Sequence, residues 1–234
     1  MCRNCLFFLF SLLLLSCGGN PSGTESQRQT ISTAPTPAII ASPLAWTPAR
    51  ESLTRAYSQK HYGADRYTID PQMIVVHYTV IPSLQQTLDY FAPDTIASAR
   101  GNIKAYSQLN VSAHYVIDSD GSIYQLLADT LMARHIIGYN HVAIGIENIA
   151  SDSTDLNSAQ LNANLSLIRH LKTEHPAIEY LIGHQEYDVP DAPHTKLYKS
   201  LDSTYRPYPK PDPGRQFMET LRDSLSRHHI HLKA

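Results

Sequence analysis

Residues 73–79 read MIVVHYT, and this segment gives the clearest indication of the fold. A continuous apolar run of this length is typical of a strand buried on both faces, although a short buried helix has the same pattern. The β-branched residues favour the strand. His77 follows the apolar run, at the end of the strand where α/β folds place their binding and catalytic groups. From this stretch alone, His77 is either a core histidine with one backbone hydrogen bond or a functional residue.

The remaining sequence alternates predicted strands with predicted helices. Apolar runs and an Asp-Gly turn predict the strands, and helical spacing of apolar residues with N-cap signals predicts the helices. The predicted strands are 111–117, 122–127, 142–149 and 179–184, and the predicted helices begin near Ser83, Asn157 and Pro213. We therefore expect an α/β fold: a single domain with a central mixed β-sheet flanked by helices.

The N-terminus has the features of an export signal. Arg3 precedes an apolar run over 6–15, which is too short to span a membrane. Residues 14–17 read LLSC, which resembles a bacterial lipobox and predicts a lipoprotein signal peptide over 1–16 with lipidation of Cys17. The expected location is then the bacterial cell envelope, lipid-anchored at the outer membrane and facing the periplasm. An ordinary cleaved signal with an incidental cysteine is the alternative.

Composition limits the rest of the chain. Residues 17–45 are poor in large apolar residues and predict a flexible tether, followed by an N-terminal arm over 46–72, the main domain over 73–227 and a tail over 228–234. All three cysteines lie within the first 17 residues, so a metal site in the domain must use histidines and carboxylates. The formal charge of −2 argues against nucleic acid as a partner, and we expect a monomer.

Four widely separated residues form a candidate catalytic set. His77 and His184 each end a predicted strand, and Asp212 lies between two prolines that stiffen its backbone. Two histidines and one carboxylate with an open fourth position are the ligands of a catalytic zinc site. Glu147 lies among isoleucines, where a carboxylate is costly to bury without a role, and it could act as general base. Spacing alone leaves open whether these residues converge.

Six short motifs carry a family resemblance. They are, in chain order, VVHYT (75–79), VSAHYVID (111–118), DGSIYQ (120–125), IGIE (144–147), GH (183–184) and KPDPG (210–214). Together they resemble the zinc-dependent N-acetylmuramoyl-L-alanine amidases of the type-2 amidase and peptidoglycan-recognition superfamily. The resemblance covers roughly residues 73–225 and implies the fold of that superfamily.

The resemblance implies a role for each matching residue. It assigns Zn²⁺ to His77, His184 and Asp212, the general base to Glu147, and stabilisation of the tetrahedral oxyanion to Lys210. It implies hydrolysis of the amide between N-acetylmuramic acid and L-alanine, with peptidoglycan or muropeptides as the partner. A non-catalytic peptidoglycan-binding lipoprotein and a zinc enzyme acting on another amide are the alternatives.

Other positions are weaker candidates. Tyr78, His114 and Asn140 are predicted to line the substrate groove, and His135 flanks the same loop as Asn140. A structural role is the alternative for His114, and a turn with a polar surface is the alternative for the loop. The 28 positions between His184 and Asp212 exceed the spacing in compact members, so His194 is a rival third ligand. The tyrosines of this loop either wall the groove or belong to a surface insertion.

Overall fold

The computed structural model describes residues 36–234. The predicted signal peptide over 1–16, Cys17 and the first part of the predicted tether therefore lie outside the described residues. The strands are β1 (Ile39–Ala41), β2 (Met73–Tyr78), β3 (Tyr115–Ile117), β4 (Ile123–Gln125), β5 (Ala143–Asn148) and β6 (Tyr180–Gly183). The helices are α1 (Pro48–Tyr62), α2 (Leu84–Phe91), α3 (Gly101–Lys104), α4 (Ser158–Glu174) and α5 (Arg215–Arg227).

The six strands form one mixed sheet in the order β1-β4-β3-β5-β2-β6. Only the β3–β4 pair is antiparallel; the other neighbours are parallel. All six residues of β2 are buried, because the strand lies between β5 and β6 and both sheet faces are covered. The prediction of an α/β domain with a central mixed sheet is confirmed.

The two faces of β2 contribute to different parts of the core. Ile74 and Val76 pack in the cluster that contains α4 and α5 residues, whereas Met73 and Val75 pack in the cluster that contains Tyr57 of α1. Since side chains alternate along a strand, His77 lies on the α1 side. No helix among residues 36–234 is both long and apolar enough to cross a membrane.

Local signals set the helix ends. The side chain of Ser83 caps α2, and Asn157 with Gln160 forms the capping box that begins α4. Helix α5 begins at Arg215, two residues later than predicted, because Gly214 with φ 101° is its N-cap.

The structure corrects the C-terminal end of the tether predicted for 17–45. Ile39–Ala41 pairs with β4, and Leu44 is buried. The arm predicted for 46–72 contains helix α1 (Pro48–Tyr62), and Arg50 fastens this helix to the end of α2. The Arg50 guanidinium is 1% exposed, lies 3.0 Å from the Asp94 carboxylate and donates to three backbone carbonyls of residues 91–93. The arm is therefore an integral layer of the domain.

Candidate metal centre and active site

Three side chains from separate segments converge beside the carboxyl end of β2. The Nδ1 atoms of His77 and His184 lie 3.0 Å apart, and Asp212 Oδ2 lies 3.1 Å from the first and 3.0 Å from the second. All three residues are buried. The structure thus brings together the three predicted ligands, and Asp212 rather than His194 completes the set.

Close backbone packing positions His184 and Asp212. A Cβ atom on Gly183 would lie 2.8 Å from Cδ of Pro213, so only glycine lets the Asp212 segment approach β6 this closely. The backbone N–H of Gln185 donates to the carbonyl of Asp212 at 2.8 Å. The two ligand segments are therefore fixed to each other by main-chain contacts.

A second hydrogen-bond network fixes the strand that carries His77. The side-chain amide of Asn148 donates to the carbonyl of His77 at 3.0 Å, and Asn164 of α4 donates to Asn148 at 2.7 Å. Both asparagines are fully buried. Helix α4 thereby holds the end of β2 in place through the neighbouring strand β5.

The donor set of the three residues fits a metal ion. Burial would raise the pKa of Asp212, but the two imidazoles beside it hold that pKa well below its ordinary value, so the carboxylate is ionised. Burial and the nearby His77 lower the pKa of His184 to about 4, so its ring is neutral at pH 7. Two ring nitrogens and a carboxylate oxygen, all bearing lone pairs, repel one another at 3 Å unless a cation or a proton lies among them. Together they could hold a metal ion.

Glu147 lies next to this centre on β5. It faces His77 in the register of the parallel β2–β5 pair. Burial raises the pKa of Glu147 to about 7; His77 partly opposes this effect, and the Asp212 charge adds to it. Its Oε2 atom has no hydrogen-bond partner among residues 36–234. Glu147 is half-buried at the cavity wall, and a carboxyl there with a pKa near neutral is suited to general base catalysis.

A cavity of about 400 Å³ opens beside the centre. Its lining includes Tyr78, Glu147 and Lys210. The ammonium group of Lys210 donates to the hydroxyl of Tyr208 at 2.8 Å, and its Nζ lies 4.2 Å from the centre of the Tyr208 ring. Tyr208 thus restrains the cation at the cavity wall.

The segment between His184 and Asp212 contributes to this wall. Tyr205 and Tyr208 line the cavity, whereas Tyr198 packs on Gly138 and Tyr139. His194, the rival ligand, is buried against Tyr139 with ring centroids 5.7 Å apart. These positions favour the interpretation that the segment walls the groove.

Two predicted groove residues are corrected. His114 is fully buried, with its Nε2 atom 2.8 Å from the carbonyl of Leu131 and its Nδ1 atom accepting from the N–H of Gly145. Asn140 is also fully buried and bonds to the loop backbone. Both residues form hydrogen bonds with backbone groups beneath the site. Because they are fully buried, neither can contact a substrate.

Sequence reasoning placed His135 in a groove loop and missed its main contact. Its Nδ1 atom lies 3.0 Å from Nε2 of His77. The sequence shows only that His135 lies ten positions before Gly145, a glycine in a predicted strand. This spacing is too weak a signal to predict a contact between His135 and a ligand residue.

Comparison with known proteins is consistent with this geometry. The Amidase_2 family model, N-acetylmuramoyl-L-alanine amidase, matches residues 67–200, more than half of the chain. Asp212 and Lys210 lie beyond the matched segment. No curated protein sequence matches the chain.

Two similar solved structures come from Clostridium intestinale URNW. The N-acetylmuramoyl-L-alanine amidase LysC is 20% identical, with 82% of this chain and 99% of that chain covered and a TM-score of 0.51. The endolysine N-acetylmuramoyl-L-alanine amidase LysCS is 20% identical, with 82% and 98% covered and a TM-score of 0.52. At this identity the likeness shows a shared fold. From the family match, the chain belongs to the Amidase_2 family of N-acetylmuramoyl-L-alanine amidases.

Proposed function

We propose that this protein is a zinc-dependent N-acetylmuramoyl-L-alanine amidase. Its substrate would be the amide between the lactyl group of N-acetylmuramic acid and L-alanine, in peptidoglycan or its fragments. The observation that carries the proposal is the convergence of His77, His184 and Asp212 beside Glu147 in an open cavity, in a chain of this family.

In this mechanism His77, His184 and Asp212 hold the ion. When bound, zinc polarises the amide carbonyl and makes water a stronger acid. Glu147 accepts a proton as water adds to the carbonyl carbon, and it then delivers that proton to the amide nitrogen as the C–N bond breaks. The products are a lactyl carboxylate and a free amino group on L-alanine. Lys210 stabilises the negative charge that develops on the carbonyl oxygen.

Zinc content and product analysis test this proposal together. We expect one zinc per chain, and release of new L-alanine amino termini from cell-wall material that stops on chelation and returns with Zn²⁺. Asp212→Ala should lose both zinc and activity. The control is Asp188→Ala, which removes an exposed carboxylate from the same segment and should change neither. Tight binding of peptidoglycan without new amino termini would instead indicate a recognition protein.

We also propose that the protein is monomeric and lipid-anchored in the bacterial envelope, at the outer membrane facing the periplasm. The support is the sequence LLSC at 14–17 behind an apolar run. Expression in a Gram-negative host should place the wild type in the outer-membrane fraction with acyl chains on Cys17, and Cys17→Ala should remove both. A wild type without acyl chains would contradict the anchor.

A further inference from the structure

The second ring nitrogen of His77 belongs to a directional hydrogen-bond chain. His77 Nε2 lies 3.0 Å from His135 Nδ1, and His135 Nε2 lies 3.3 Å from the carbonyl oxygen of Ala143. A carbonyl only accepts, so the proton of neutral His135 is on Nε2 and its Nδ1 is an acceptor. His77 must then carry its own proton on Nε2. This tautomer leaves the lone pair of His77 Nδ1 directed at His184 and Asp212.

The backbone of His135 is itself held by a buried asparagine. Asn140 Oδ1 accepts from the N–H of His135 at 3.0 Å and from that of Ile136 at 2.9 Å. These two donors fix the orientation of the amide, so its nitrogen is the atom that meets Tyr57, donating to the phenol oxygen at 2.9 Å. Tyr57 belongs to α1 and is 1% exposed. The chain of contacts therefore runs from α1 to the metal centre.

The ring of His135 occupies space that a glycine leaves open. A Cβ atom on Gly145 of β5 would lie 2.8 Å from both Cγ and Nδ1 of the His135 ring. The ring also meets His77 and His114 edge to face, with centroids 5.2 Å and 5.9 Å away. The orientation of His135 is thus determined by packing as well as by hydrogen bonds.

We propose that His135 is a positioning residue that fixes the tautomer and orientation of His77 for metal binding, and that Asn140 and Tyr57 hold it in place. The inference rests on the proposed metal site. Tyr57 belongs to helix α1, which precedes the segment 67–200 that the family model matches, so the support of the centre reaches beyond that segment. Loss of such outer contacts typically lowers metal affinity about 10–100-fold.

Three substitutions separate this role from simple packing. His135→Phe keeps a ring but removes the acceptor, whereas His135→Asn places an oxygen near the former Nδ1 position. His141→Phe is the matched control, because His141 lies in the same loop, packs against Tyr62 with ring centroids 4.4 Å apart and has no partner for Nδ1 among the described residues. Gly145→Ala displaces the His135 ring without altering its chemistry.

The measurement is a competition titration of the full chain with Zn²⁺ and a chromophoric chelator, together with the absorption spectrum of the Co²⁺ form. We expect the zinc dissociation constant to rise about 10–100-fold for His135→Phe, less for His135→Asn, and not at all for His141→Phe. The Co²⁺ bands should change for the substitutions at His135 and for Gly145→Ala, and should stay unchanged for His141→Phe. If His135→Phe does not fold, Gly145→Ala should show the same loss of affinity.

Two outcomes would overturn the inference in distinguishable ways. Wild-type affinity for zinc in His135→Phe and in Gly145→Ala, with only KM on a muropeptide raised, would make His135 a substrate contact instead. A wild-type chain that binds no zinc would overturn the proposed function itself, and this inference with it.

Discussion

Replacing Glu147 with glutamine should abolish activity while stabilising the fold at alkaline pH. The substitution keeps the shape of the side chain but removes its ability to accept a proton. Loss of a general base typically lowers the rate about 10²–10⁴-fold. The same substitution should raise the free energy of unfolding, because Oε2 of the half-buried Glu147 is itself buried and has no hydrogen-bond partner among the described residues.

The magnitude of the stability effect follows from the pKa. Burial raises the pKa of Glu147 from its ordinary value of 4.5 to about 7, so the folded state binds this proton more tightly than the unfolded state. The free energy of unfolding therefore falls as pH rises through this window. Between pH 5 and pH 8 the loss due to Glu147 amounts to about 2.5 kcal/mol. Glu147→Gln does not titrate and should escape this loss.

Urea denaturation of the wild type and Glu147→Gln at several pH values measures this difference. The proteins are compared without metal, because a bound cation would lower the pKa of Glu147. Other titrating groups are common to both proteins, so their contributions cancel in the difference. A difference in unfolding free energy that stays constant from pH 5 to pH 8 would refute the assigned environment of Glu147. Full activity of the variant would refute its role.

Three further predictions concern other parts of the domain. Arg50→Met should lower the free energy of unfolding by about 3 kcal/mol, because it breaks a buried ion pair and three bonds to carbonyls. Arg55→Met on the same helix removes a guanidinium at the surface and should cost much less in the same denaturation assay. Tyr208→Phe should lower kcat/KM about threefold to tenfold at unchanged zinc content, since it removes the hydroxyl that holds Lys210; unchanged kinetics would exclude that contact. The burial of His114 lowers its pKa to about 4. Its ring should stay neutral on NMR titration well below pH 6.5, and the roughly 3 kcal/mol of stability that it contributes at pH 7 should be lost as pH falls from 6.5 to 4. A protonation midpoint near 6.5 would contradict this.

Local signals explain why much of the fold was predictable. Each of these signals depends on residues that are close together in the sequence. They are the buried strand over 73–78, the cap at Ser83 and the capping box at Asn157. Strand β1 was not predictable in the same way. Ile39–Ala41 is a strand because its backbone pairs with β4. The composition of residues 17–45 does not indicate this pairing, since the partner strand lies more than 80 residues later in the sequence.

Short motifs in the sequence identify the candidate chemical groups, which are two histidines, an aspartate, a glutamate and a lysine. The packed fold is what brings His77, His184 and Asp212 within 3.1 Å of one another and places His135 against the far side of the His77 ring. A motif specifies which residue types are neighbours in the sequence. The distances between side chains from different motifs depend instead on strand register, on the close approach of the Asp212 segment at Gly183 and on the space beside Gly145. Burial, which raises the pKa of Glu147 to about 7, is likewise a property of the packed domain.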